Sequence, residues 1–202
     1  MRVAVCVSGG GSNLQALLDA LPEGAPARVV LVLGDRAEAG GLERARHAGI
    51  PAEVLADPRD ATEWLTRLGR RDADLLVLAG FLKLVPGPLV AAWRGRIINI
   101  HPALLPRHGG PGMYGRRVHA AVLAAGDRES GATVHLVDEE FDHGAPLAQA
   151  RVPVLEGDTP ETLAARVLEA EHRLLPAVVL AAAAAGRPVP LEPSTFDFRP
   201  SA

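Results

Sequence analysis

Short apolar runs alternate with amphipathic stretches through the first half of the chain. Residues 2–7, 28–33 and 74–78 are apolar nearly throughout and predict strands, while apolar positions near residues 14–21 and 63–70 recur at helical spacing. Strands that do not alternate polar with apolar, set in βαβα order, predict an α/β fold of Rossmann-like type. Its sheet is mostly parallel, twisted and covered by helices on both faces. Residues 96–100 supply another strand of this kind.

Beyond Pro111 the pattern changes. Residues 118–125 read as a helix, and residues 132–137 and 146–152 as strands close enough to pair, which predicts an antiparallel addition at the sheet edge. Asp158-Thr159-Pro160-Glu161 marks the start of a last helix, since proline suits the first turn and the glutamate can complete a capping box. Leu163, Val167, Leu174, Leu175 and Val178 follow at helical spacing. Pro176 has no amide hydrogen and is expected to kink or divide that segment. From Gly186 the proline-rich tail predicts irregular structure. With no internal repeat or linker, residues 1–202 read as one domain with a tail from about 186 to 202.

Charged residues are 22% of the chain, apolar residues 48%, and the net charge is −3. That balance points away from disorder and from a basic nucleic-acid surface, leaving small molecules as the expected partners. No charged and apolar leader opens the sequence, and the longest apolar run, residues 177–185, is far below a membrane span. A cytoplasmic protein is expected. The one cysteine, Cys6, lies in an apolar strand and reads as a core residue.

Ser8-Gly9-Gly10-Gly11-Ser12-Asn13 joins the first strand to the first helix. Backbone amides and a helix N-terminus there form an anion site. The last glycine of a dinucleotide fingerprint would fall on Leu14 and the Walker lysine is absent, so a monophosphate fits better than NAD or a nucleoside triphosphate. The plainer alternative is a tight turn in which Ser12 or Asn13 caps the helix.

In Ile97-Ile98-Asn99-Ile100-His101-Pro102 the asparagine and histidine are two apart, so in a strand both leave the same face at its C-terminal end. A histidine can pass a proton near neutral pH and an asparagine amide can hold a developing oxyanion, a pairing suited to acyl transfer. The segment from His135 to Gly144 is acidic, and a carboxylate from it, Asp142 or by spacing equally Asp138, could orient the imidazole. No zinc-type ligand spacing is present and no metal is expected. Histidines 47, 108, 119 and 172 carry no motif, and solvent-facing or capping roles are their default.

Four segments, SGGGSNLQ, LAGFLKLV, NIHPALLP and HLVDEEFDHG, occur together and in order, and with them the chain resembles the glycinamide ribonucleotide formyltransferase family. NIHPALLP is shared with other formyl-folate enzymes; the opening loop and the chain length narrow the likeness. The resemblance implies formyl transfer from 10-formyltetrahydrofolate to the amine of glycinamide ribonucleotide, in purine synthesis, by a monomer or homodimer. It makes His101 the proton donor, Asn99 the holder of the formyl oxygen and Asp142 the setter of the histidine's charge. Gly11, Ser12, Asn13 and Glu171 would meet the ribonucleotide. Arg59, Leu82, Lys83, Leu84, Val85, Asn99 and Asp138 would meet the folate. The stretch from Arg107 to Gly115 is longer than the shortest family form, and its glycines predict a mobile flap. Two alternatives stand beside this reading: a formyltransferase for another small amine, and a catalytically silent nucleotide-binding module.

Overall fold

The computed structural model describes residues 1–191; the rest of the proline-rich tail lies outside the described residues. Strands β1 (Arg2–Val7), β2 (Arg28–Gly34), β3 (Ala52–Val54), β4 (Leu75–Leu78) and β5 (Ile97–His101) run parallel. Strands β6 (Glu129–Leu136) and β7 (Pro146–Pro153) add antiparallel on the β5 side, giving the order β3-β2-β1-β4-β5-β6-β7. The helices are α1 (Ser12–Ala20), α2 (Gly40–His47), α3 (Ala61–Arg70), α4 (Gly87–Ala92), α5 (Arg116–Ala124) and α6 (Pro160–Ala185).

The two-residue period of a strand divides β1 between two cores. Val3, Val5 and Val7 pack with Leu14 and Leu17 of α1, Leu42 of α2 and Val167 of α6. Ala4 and Cys6 pack on the opposite face with Trp64 and Leu68 of α3 and Leu89 of α4. The sheet is therefore covered on both sides, and its strands can be apolar throughout. Cys6 is fully buried, and burial, with the charge of Asp35 second, pushes its thiol well above the ordinary range.

Strand order reverses between β1 and β4, where connections leave in opposite directions and a crevice opens at the C-terminal strand ends. Ser8 closes the floor of that crevice. Its amide donates to the Gly80 carbonyl at 3.0 Å, and its Oγ accepts from the Leu82 amide at 2.9 Å.

Three elements escape the sequence pattern. Helix α2 begins with Gly40-Gly41, poor helix formers, because a Cβ on Gly41 would lie 2.9 Å from Val7 Cγ2; close packing on β1 overrides propensity. Strand β3 is a three-residue edge, and α4 is a six-residue helix opening on Pro86-Gly87-Pro88.

Two expectations for the last helix are corrected. Pro176 does not divide α6, which runs unbroken from Pro160 to Ala185. Proline cannot bond the carbonyl of His172, but Leu174, Leu175, Val178 and Val179 around it are fully buried and hold the helix together. The capping box is completed by Thr162, not Glu161: Thr162 Oγ1 accepts from the Thr159 amide at 2.9 Å and Thr159 Oγ1 from the Thr162 amide at 3.3 Å. Glu161 instead pairs with Arg116 at 2.6 Å.

Candidate active site

A cavity of about 490 Å³ opens in the crevice. Its walls are the loops after β1, β4 and β5, the β6–β7 connection, and the facing sides of α5 and α6.

The glycine loop forms one end. Gly11 is the N-cap of α1 with φ 73°, and a Cβ on it would meet Gly41 Cα at 2.5 Å, so only glycine fits both the backbone and the space. No side chain caps α1, so neither Ser12 nor Asn13 plays that part, and the leading amides stay open toward the cavity that Gly11, Ser12 and Asn13 line. The loop is braced from behind, where the Gly41 amide donates to Gly9 O at 3.0 Å and Arg44 Nε donates to Gly10 O at 2.7 Å.

Asn13 and Glu171 meet across this end. Asn13 Nδ2 donates to Glu171 Oε2 at 2.6 Å, and both side chains are buried. Burial raises the Glu171 carboxyl above its ordinary value, against the Asn13 hydrogen bond and the charge of His101. Asn13 Oδ1 is buried with no partner among the described residues.

At the end of β5, Asn99 and His101 both line the cavity, as their spacing predicts, with Ile98 and Ile100 built into the core. His101 Nδ1 lies 3.3 Å from Asp142 Oδ2, and Nε2 lies 2.9 Å from the His108 carbonyl. Asn99 Nδ2 donates to Asp142 Oδ1 at 3.3 Å and faces His135 Nε2 at 3.0 Å. His135 Nδ1 meets the Leu136 carbonyl at 2.8 Å, which puts the proton on Nδ1 and leaves Nε2 to accept from Asn99.

Asp142 is thus shared by three donors, the third being the Gly110 amide at 3.0 Å. Burial alone would raise its carboxyl. The hydrogen bond and charge of His101, the His135 ring 3.7 Å away and the Gly110 amide together outweigh burial and hold it well below the usual carboxylate range. Between Asp142 and Asp138 the geometry separates the candidates: Asp138 pairs with His143 Nδ1 at 2.7 Å and does not line the cavity.

The turn after β5 is fixed by Thr133. Its buried Oγ1 donates to the Ala103 carbonyl at 2.6 Å and accepts from the Leu105 amide at 3.0 Å. His108 then takes φ 57°, a left-handed conformation, with its ring 2.7 Å from Asp127 and Arg107 beside the same carboxylate. The flap predicted from its glycines is therefore tied to the site at both His101 and Asp142.

Leu82, Lys83, Leu84 and Val85 line the other end of the cavity, with Leu82 and Leu84 exposed at its mouth. Arg59 is not brought there; it is exposed and bonded to Asp57 at 3.0 Å before α3.

Sequence reasoning missed three histidines. His135 positions Asn99 through a cross-strand pair of β5 and β6, in register with it. His108 and His119, taken by default as solvent-facing or capping, are instead a flap residue touching His101 and a cavity-lining residue only 4% exposed. Nothing in their local spacing signals either place; only the register of β6 and the packing of α5 create it.

The formyl transferase family model matches residues 1–179, and the chain belongs to that family. Within the family its relatives include phosphoribosylglycinamide formyltransferases. The Escherichia coli (strain K12) enzyme of that name is 40% identical over 89% of this chain and 85% of its own. The chloroplastic enzyme of Arabidopsis thaliana is 47% identical over 88% of this chain, which spans 64% of the plant protein's length. The crystal structure of the Anaplasma phagocytophilum enzyme superposes with a TM-score of 0.85 at 41% identity, over 91% of this chain and 87% of the other.

Proposed function

We propose that this protein transfers the formyl group of 10-formyltetrahydrofolate to the amine of glycinamide ribonucleotide, a step of purine biosynthesis. The observation that carries the reading is the convergence of Asn99, His101 and Asp142 in one cavity whose far end is an uncapped helix N-terminus. An acyl acceptor bearing a phosphate monoester fits that combination.

In this reading Gly11, Ser12 and Asn13 take the phosphate and Glu171 the ribonucleotide beyond it. Leu82 to Val85 give the folate an apolar wall. Arg59, outside the cavity lining, would meet only a part of the donor that protrudes, and Asp138 would act through the β6–β7 connection. The neutral amine attacks the formyl carbon, forming the new C–N bond as negative charge moves to the formyl oxygen. Asn99 Nδ2 stabilises that oxygen; its 3.3 Å contact with Asp142 is the weaker of its two bonds and the one such an oxygen would replace. The bond to the folate nitrogen then breaks, that nitrogen receives a proton from His101, and the proton that the amine gives up replaces it on the imidazole. His101 Nε2 is covered by the His108 carbonyl, so the flap must withdraw for the proton to pass. Asp142, ionised, holds the imidazole in place through Nδ1.

No helix among the described residues is long and apolar enough to cross a membrane. A cytoplasmic protein of one domain, acting as a monomer or homodimer on small molecules, completes the proposal. Its test is turnover of Asn99→Ala and His101→Ala. Each should fall about 10²- to 10³-fold with the fold intact, the effect of removing one oxyanion donor. Turnover within a few-fold of wild type in either variant overturns these roles.

A further inference from the structure

His119 is a buried polar group that the reaction above does not use. It lies on α5 facing α6, is 4% exposed, and its ring lines the cavity whose α6 wall carries Leu168 and Glu171. Neither ring nitrogen has a hydrogen bond among the described residues, and Nδ1 is fully enclosed. A buried ring without a partner is costly to keep, and its loss to an apolar residue would relieve that cost.

Burial, with the charge of His101 second, lowers the His119 imidazole below its ordinary value, so the ring is neutral at neutral pH. A proton on enclosed Nδ1 would be a buried donor with no acceptor; Nε2 is not enclosed in that way and His119 lines the cavity, which assigns the proton to Nε2. A neutral N–H donor cannot compete for the substrate phosphate with the helix N-terminus, but it suits an uncharged oxygen such as a hydroxyl or an amide carbonyl. Helix α5 packs against α6, whose Leu168 and Glu171 line the same cavity, which puts His119 on the acceptor side of the reacting group rather than along the folate wall of Leu82 to Val85.

We infer that His119 is an acceptor-binding residue, donating from Nε2 to an uncharged oxygen of the amine substrate and so helping to choose that substrate. This rests on the acceptor reading above.

The experiment measures binding of glycinamide ribonucleotide by calorimetry in the wild-type protein and in His119→Leu, His119→Gln and His119→Asn, with thermal unfolding of each. Glutamine can place an amide N–H near the position of Nε2, whereas asparagine reaches only that of Nδ1. The expected result is affinity weakened about three- to tenfold in His119→Leu and His119→Asn, the range for one uncharged hydrogen bond, and largely restored in His119→Gln. Folate affinity should stay within twofold throughout. Unchanged acceptor affinity in a folded His119→Leu overturns the inference while leaving the functional reading intact. So does a loss equal in all three variants that follows their melting temperatures. Wild-type protein that does not bind the ribonucleotide overturns both.

Discussion

Asn99 and His135 are register partners on antiparallel β5 and β6, and their side chains meet at 3.0 Å inside the cavity. A strand pairing thereby sets the direction of the amide that faces Asp142, and the site inherits its precision from the sheet. His135→Phe keeps the buried volume but removes the acceptor. It should lower turnover about tenfold or more while melting within a few degrees of wild type, as steady-state kinetics and calorimetry would show.

Asp142 and Asp138 sit in the same connection but serve different partners. Asp142→Asn should reduce turnover at least 100-fold, within the span of a lost proton-transfer group, whereas Asp138→Asn should stay within about tenfold. Equal losses in the two would remove the special place given to Asp142.

Gly9 and Gly11 belong to one loop and differ in tolerance. Alanine at 11 would strain φ 73° and drive Cβ against Gly41, while alanine at 9 meets nothing within 4 Å. Gly11→Ala should lose about 2 kcal/mol or more of stability and Gly9→Ala less than about 0.5 kcal/mol, measured by denaturant unfolding.

Asp158 caps the approach to α6 and is nearly enclosed, accepting from Arg166 at 2.7 Å and from the Leu155 amide at 2.8 Å. The Arg166 hydrogen bond is the largest influence on its carboxyl and, despite burial, holds it well below the ordinary range. A depressed carboxyl stabilises the fold above its unfolded value of 3.8 and loses that contribution as pH falls through the folded value. Asp158→Asn should therefore cost about 2 kcal/mol at pH 7, and the gap from wild type should narrow progressively in melting curves as pH falls below 3.8. A gap independent of pH would contradict the ionic role.

Much of this was open to the sequence. Strands β1, β2, β4 and β5 are buried on both faces, so their apolar runs stand out, and the glycine loop and the Asn99–His101 spacing lie at their ends. Helix α2 was hidden because Gly41 is chosen for its closeness to Val7 rather than for helix propensity. His108, His119 and His135 were hidden because each acquires its partner across the fold: from the flap, from α5 against α6, and from β6 against β5. Thr162 took the box position that a glutamate rule had given to its neighbour, since its hydroxyl reaches both the Thr159 amide and Asp158.

The central claim is tested most directly by mixing the purified protein with 10-formyltetrahydrofolate and glycinamide ribonucleotide and following deformylated folate by absorbance. The account predicts folate product that appears only when the amine is present, in equal amount to formylated ribonucleotide. Product formed at the same rate without the amine, or none with it while the folate still binds, would contradict transfer to this acceptor.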